Sequence, residues 1–110
     1  MSLDMSKYLG VFVSEGTEHL EALARDLVQL EKNPSAGVID SMFRHAHSLK
    51  GMAASMGFES VATLAHRVED LVGAVREDPS RLDRSLVDLL LASADHLQGQ
   101  VRALGEGRPP

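Results

Sequence analysis

Apolar residues recur along this chain at steps of three and four, and no segment shows a convincing period of two. From about Ser6 to Lys32, the residues Leu9, Phe12, Gly16, Leu20, Leu23, Leu27 and Leu30 form one stripe. Glu15, Glu18, Glu21, Arg25 and Asp26 fall largely off it. The segment therefore predicts an amphipathic helix about seven turns long. Gly16 lies inside the stripe and costs about 1 kcal/mol against Ala, so it is expected to mark a close helix crossing. Asn33-Pro34-Ser35 ends the helix.

Three more stripes follow. Ile39, Met42, Phe43, Ala46, Leu49, Ala53 and Met56 predict a helix over 36–56, closed by Gly57. Val61, Leu64, Ala65, Val68, Leu71, Val72 and Val75 predict one over 59–77, stopped by Asp78-Pro79. Leu86, Leu89, Leu90, Leu97, Val101 and Leu104 predict a fourth that starts near the N-cap candidate Asp83. Four amphipathic helices with short connections make an all-α, antiparallel up-down four-helix bundle the economical fold. The fold leaves room for a further C-terminal helix beyond residue 110. Residues 1–5 read as an extension, with Met1-Ser2-Leu3 resembling an expression scar, 6–104 as the domain, and 105–110 as a flexible tail or the start of a linker.

Composition narrows the chemistry. The 110 residues suit one domain, and they contain no cysteine, which excludes disulfides, thiolate metal sites and cysteine nucleophiles. The net charge of −5 argues against a phosphate-reading nucleic-acid binder. No basic-then-apolar leader is visible, and no window approaches the roughly 18 apolar residues that span a bilayer. A soluble, cytoplasmic protein with no membrane partner is the expectation. Five histidines remain as side chains whose ordinary pKa lies near neutrality.

Two of them stand at His45-x-His47. On a helix, residues two apart point about 200° away from each other, so they cannot share one metal ion. His47 lies on one patch of helix surface with Phe43, Lys50, Gly51 and Ala54. It sits about 120° from the middle of the apolar stripe and is expected to be exposed. Gly51 inside a strong helix costs about 1 kcal/mol; small residues there would let another protein approach. On the third helix, Ala62, His66, Glu69 and Gly73 form a column that could lie against the His47 patch.

That juxtaposition would give definite chemistry. A carboxylate accepting a hydrogen bond from Nδ1–H holds an imidazole in the tautomer whose Nε2 is free to attack. Glu69 is the candidate. An adjacent ammonium stabilises charge on a transferring phosphoryl group; Lys50 is the candidate, with His66 as a second polar contact. No Gly-rich phosphate loop or Mg-binding acidic cluster is identifiable, so the chain could carry a phosphoryl group without drawing one from ATP itself. The plainer alternative is a solvated histidine beside an ordinary i,i+3 contact of His66 with Glu69. His19, His45 and His96 receive no role, and Met42, Met52 and Met56 read as core filler.

His47-Ser48-Leu49-Lys50-Gly51 resembles the H-x-L-K-G motif of histidine phosphotransfer (HPt) domains. The wider stretch from Phe43-Arg44 through Ala53, Met56-Gly57-Phe58 is similar to the N-terminal domain of CheA-type chemotaxis histidine kinases. So are Tyr8-Leu9, Phe12, Glu15, Glu18, Leu20 and Leu23 of the first helix, Leu30-Glu31-Lys32-Asn33-Pro34, and His66-x-x-Glu69. The likeness is strong over residues 7–77 and weaker in the fourth helix. It implies a phosphoryl carrier in a two-component, chemotaxis-like pathway that is not an enzyme by itself, within a parent that is a histidine kinase. His47 would be the phosphoacceptor through Nε2, Glu69 its Nδ1 partner, Lys50 and His66 the phosphoryl environment, and Gly51 the access. The implied partners are an ATP-binding kinase domain, in the same chain or a partner subunit, and the aspartate of a CheY-like or CheB-like response regulator. No cofactor or metal would be bound here; ATP and Mg would belong to the kinase domain, and the isolated domain would be a monomer. A non-catalytic adaptor that docks a receiver domain, a stand-alone or hybrid-sensor HPt domain, and a bundle holding a metal through His and Glu are the competing readings.

Overall fold

In the computed structural model, residues 5–110 are described. They form helices α1 (Met5–Lys32), α2 (Ala36–Ser55), α3 (Glu59–Glu77) and α4 (Arg84–Gly105), with a short 3₁₀ turn at Pro79–Arg81 before α4. The scar read at Met1-Ser2-Leu3 lies outside the described residues, and Met5 already belongs to α1. α1 packs on α2 and α4, α2 on α3, and α3 on α4, which closes a four-helix bundle.

Local chemistry sets the ends. Ser35 accepts a hydrogen bond from Val38 N–H at 3.2 Å and caps α2. Asp83 accepts from Leu86 N–H at 2.8 Å and caps α4. The Asp78-Pro79 stop winds into the 3₁₀ turn, where Asp78 takes the Ser80 N–H at 3.2 Å. α3 starts at Phe58 without a side-chain cap; instead that ring meets Phe12 edge-on, with centroids 5.1 Å apart.

α2 and α4 finish alike. Phe58 N–H reaches Ala53 O, and Gly57 N–H reaches Ala54 O. Arg108 N–H reaches Ala103 O, and Gly107 N–H reaches Leu104 O. In both turns the glycine has φ +76°, the left-handed geometry of a Schellman cap. Residues 105–108, read as the start of a tail, thus carry the closing turn of α4.

The stripes converge. Leu20, Leu23, Leu27 and Leu30 meet Met42 and Leu49, Val61, Val68 and Val72, and Leu90, Leu97 and Val101 in one core. Two expectations change. Leu89 is 51% exposed, because Val87, Leu90 and Ala94 take the inward positions of α4 and turn Leu89 outward. Gly16 does touch α2 and α4, but a Cβ there would meet Leu49 Cδ1 at 3.5 Å, an ordinary contact. Met42 is buried, whereas Met52 and Met56 are half-buried against the core edge.

Candidate functional site

The site lies where α2 runs beside α3. The α2 stripe buries Ala46 and Leu49, so His47 and Lys50 face the flank toward α3. On α3, Ala65, Val68 and Val72 fill the core, and Glu69 follows at its border. Glu69 is buried, and its two oxygens are both engaged. His47 Nδ1 hydrogen-bonds Oε2, and Lys50 Nζ donates to Oε1 at 2.9 Å. The His47 side chain remains 64% exposed, against 9% for Glu69.

The electrostatics follow from these contacts. Burial pushes the Glu69 carboxyl upward, but hydrogen bonds from Lys50 and His47 and the Lys50 charge outweigh it, so its pKa lies below the ordinary 4.5. An ionised carboxylate only accepts hydrogen bonds. Nδ1 of His47 must therefore carry the proton, and in the neutral ring of this exposed side chain Nε2 holds the unshared pair. A nucleophile with its orienting base partner is what this arrangement can supply.

The other expected residues are distributed unevenly. Gly51 is exposed, and a Cβ there would meet nothing within 4 Å. His66 pairs with Asp70 on its own helix, its Nε2 3.5 Å from Asp70 Oδ1 one turn along α3. Ligand atoms of His66, Glu69 and Asp70 lie within 4.8 Å of one another, but both Glu69 oxygens already serve His47 and Lys50. Gly73 receives Phe43, whose Cε2 would be 3.4 Å from an added Cβ. Two features had no prior signal. Arg76 stands over the Phe43 ring at 3.9 Å. His19 and His45, given no role, join α1 to α2 through Nδ1···Nδ1 at 2.9 Å.

Beside His47 runs an open groove between α1 and α2, lined by Tyr8, Val11, Glu15, His19, Gly51 and Met52. Met5, Tyr8 and Val11 are large apolar side chains left about half exposed at this end of α1. A concave apolar strip next to a reactive group is a surface fit to meet a partner.

Residues 7–105 match the Hpt domain family. The chain belongs to that family. This Hpt domain is 40% identical over 100 residues to the chemotaxis protein CheA of Listeria monocytogenes, covering 90% of this chain and 16% of that protein. The chain thus spans about one sixth of the length of the curated relatives it matches. Among solved structures, it superposes on the CheA phosphotransferase domain of Thermotoga maritima with TM-score 0.84 and 39% identity, covering 94% of this chain and 98% of that one. It also superposes on the phosphorylated P1 domain of CheA3, solved in complex with CheY6 from R. sphaeroides, with TM-score 0.84 and 26% identity, covering 94% and 83%. Among the described residues, no helix is long and apolar enough to cross a membrane.

Proposed function

We propose that this Hpt domain is the phosphoryl carrier of a chemotaxis-like histidine kinase, with His47 as phosphoacceptor. The observation that carries the reading is the pairing of Nδ1 with a buried carboxylate on a histidine whose side chain is 64% exposed. The Nε2 lone pair attacks the γ-phosphorus of ATP presented by a separate kinase domain. An N–P bond forms as the bond to the leaving oxygen of ADP breaks. The Nδ1 proton stays on the ring, and Glu69 balances the positive charge that develops there. Lys50, bonded to Glu69 Oε1, supplies the cation for the phosphoryl oxygens, and Gly51 leaves the approach open. His66 completes the polar surroundings one turn away. In the second step an aspartate oxygen of a response regulator attacks phosphorus, the N–P bond breaks, and its electron pair returns to Nε2.

The domain alone lacks a nucleotide site in this reading, so it is carrier rather than enzyme, binds neither cofactor nor metal, and works as a monomeric module in the cytoplasm. ATP and Mg act in the kinase domain, in the same chain or in a partner subunit. The CheA3 relative solved with CheY6 supports a CheY-like acceptor, and the groove beside His47 is the surface that would meet it. The test is incubation with a CheA kinase domain and labelled ATP. The wild type should gain one acid-labile, base-stable phosphate. Label retained by His47→Gln would reject the assignment.

A further inference from the structure

A single hydrogen bond does not orient a ring. The contact of His47 with Glu69 fixes one vertex of the imidazole, and the ring can still swivel about that bond. The side chain is 64% exposed, and the aromatic ring that pairs with it is Phe43, one turn earlier on α2. The two rings are nearly parallel, 10° apart in plane, with centroids 6.3 Å apart. Phe43 is itself held from α3. The Arg76 guanidinium covers its ring at 3.9 Å, Asp40 anchors Arg76 at 3.8 Å, and Gly73 leaves the space in which the ring lies.

We propose that Phe43 is a positioning residue for His47: clamped by Arg76 and seated on Gly73, its ring sets the plane of the imidazole, so that Nε2 keeps one heading while Nδ1 holds Glu69. Stacking lies along the ring face and attack by Nε2 lies in the ring plane, so Phe43 orients the nucleophile without blocking it. The clamp joins the end of the seam where α2 starts and α3 finishes to the reacting atom. At Gly73 an added Cβ would lie 3.4 Å from Phe43 Cε2, so the ring rests directly on the α3 backbone at that position. The proposal rests on the phosphoacceptor reading, and it deepens that reading by adding a second constraint to the one Glu69 supplies.

The experiment compares Phe43→Leu, Phe43→Tyr and Arg76→Gln in the whole domain. Side-chain NMR on the unphosphorylated protein reads the order of the His47 ring and the fraction with the proton on Nδ1. A CheA kinase domain with labelled ATP reads kcat and KM. Phe43→Leu should lower ring order and kcat by about two- to ten-fold with KM unchanged, Phe43→Tyr should restore both, and Arg76→Gln should fall between. Thermal unfolding checks that each variant is folded; if Phe43→Leu is not, Arg76→Gln decides. Ring order and kcat unchanged in the folded variants overturn the proposal, as does a Tyr variant no better than Leu. Ring order is measured without phosphate, so label surviving in His47→Gln would defeat the phosphoacceptor reading and leave the positioning result standing.

Discussion

His45 and His47 are two residues apart on one helix, and the fold sends them to opposite neighbours. His47 faces α3 and bonds a carboxylate; His45 faces α1 and bonds the Nδ1 of His19 at 2.9 Å. The partner decides what each can do. An ionised Glu69 can only accept, so the tautomer of His47 is settled. Two imidazoles can exchange donor and acceptor roles, so neither ring of the other pair is held in one tautomer. Exposure differs too: His47 stands in solvent, whereas burial, then the charge of His19, holds His45 below its ordinary 6.5 against the opposing pull of Asp26. A histidine pair ties α1 to α2; a histidine–carboxylate pair leaves a nucleophile free.

The sharpest way to break this contrast is to exchange each ring for an amide. His47→Gln should abolish phosphate incorporation, while His45→Gln should accept label within about two-fold of the wild type; equal losses in a labelling assay would erase the distinction. Next in size is Glu69→Ala. A hydrogen bond to a charged group contributes about 1.5–3 kcal/mol, so phosphorylation should slow by roughly ten- to a hundred-fold with the helical circular dichroism intact. An unchanged rate would remove Glu69 from the chemistry.

Acid weakens both pairs, but in different pH windows. The folded pKa of Glu69 is depressed, so its stabilisation is present above the ordinary 4.5 and is lost as pH falls through the folded value. The folded pKa of His45 is also depressed, and here the protonated form is the charged one. As pH falls below 6.5 the unfolded chain binds the proton first, so stability declines there, until the native state protonates as well. Urea unfolding between about pH 8 and pH 5 should show that decline in the wild type and a shallower one in His45→Gln. Parallel slopes would mean the pair is not the titrating element. The smallest effect concerns the approach to His47. Gly51 has open space where a Cβ would go, so Gly51→Ala should stabilise α2 by about 1 kcal/mol in thermal unfolding. If transfer to the regulator does not slow at all, access is not why the glycine stands there.

Much of the scaffold was legible in the residues. Steps of three and four in Leu20, Leu23, Leu27 and Leu30 specify a helix and its inward face, and Ser35, Gly57 and Asp83 mark ends by chemistry that acts within one turn. α4 was harder, because apolar residues at 86, 87, 89, 90 and 91 make the stripe ambiguous; packing chose Val87 and Leu90 and left Leu89 outside. In the site, spacing grouped His47 with Lys50 and Gly51, and His66 with Glu69. Carboxylate chemistry singled out Glu69, which meets His47, but nothing in the spacing showed that His66 turns to Asp70.

By itself, then, the sequence determined four helices, their buried faces and the patch that carries His47. These depend on the 3.6-residue repeat and on caps, which are local. Only the tertiary structure decided that Glu69 lies under Nδ1, that Arg76 reaches Phe43, and that His19 meets His45. Each of those contacts spans two helices, and its existence depends on how far each helix is rotated and shifted against the other. That rotation is set by the whole core at once, and no short stretch of residues encodes it.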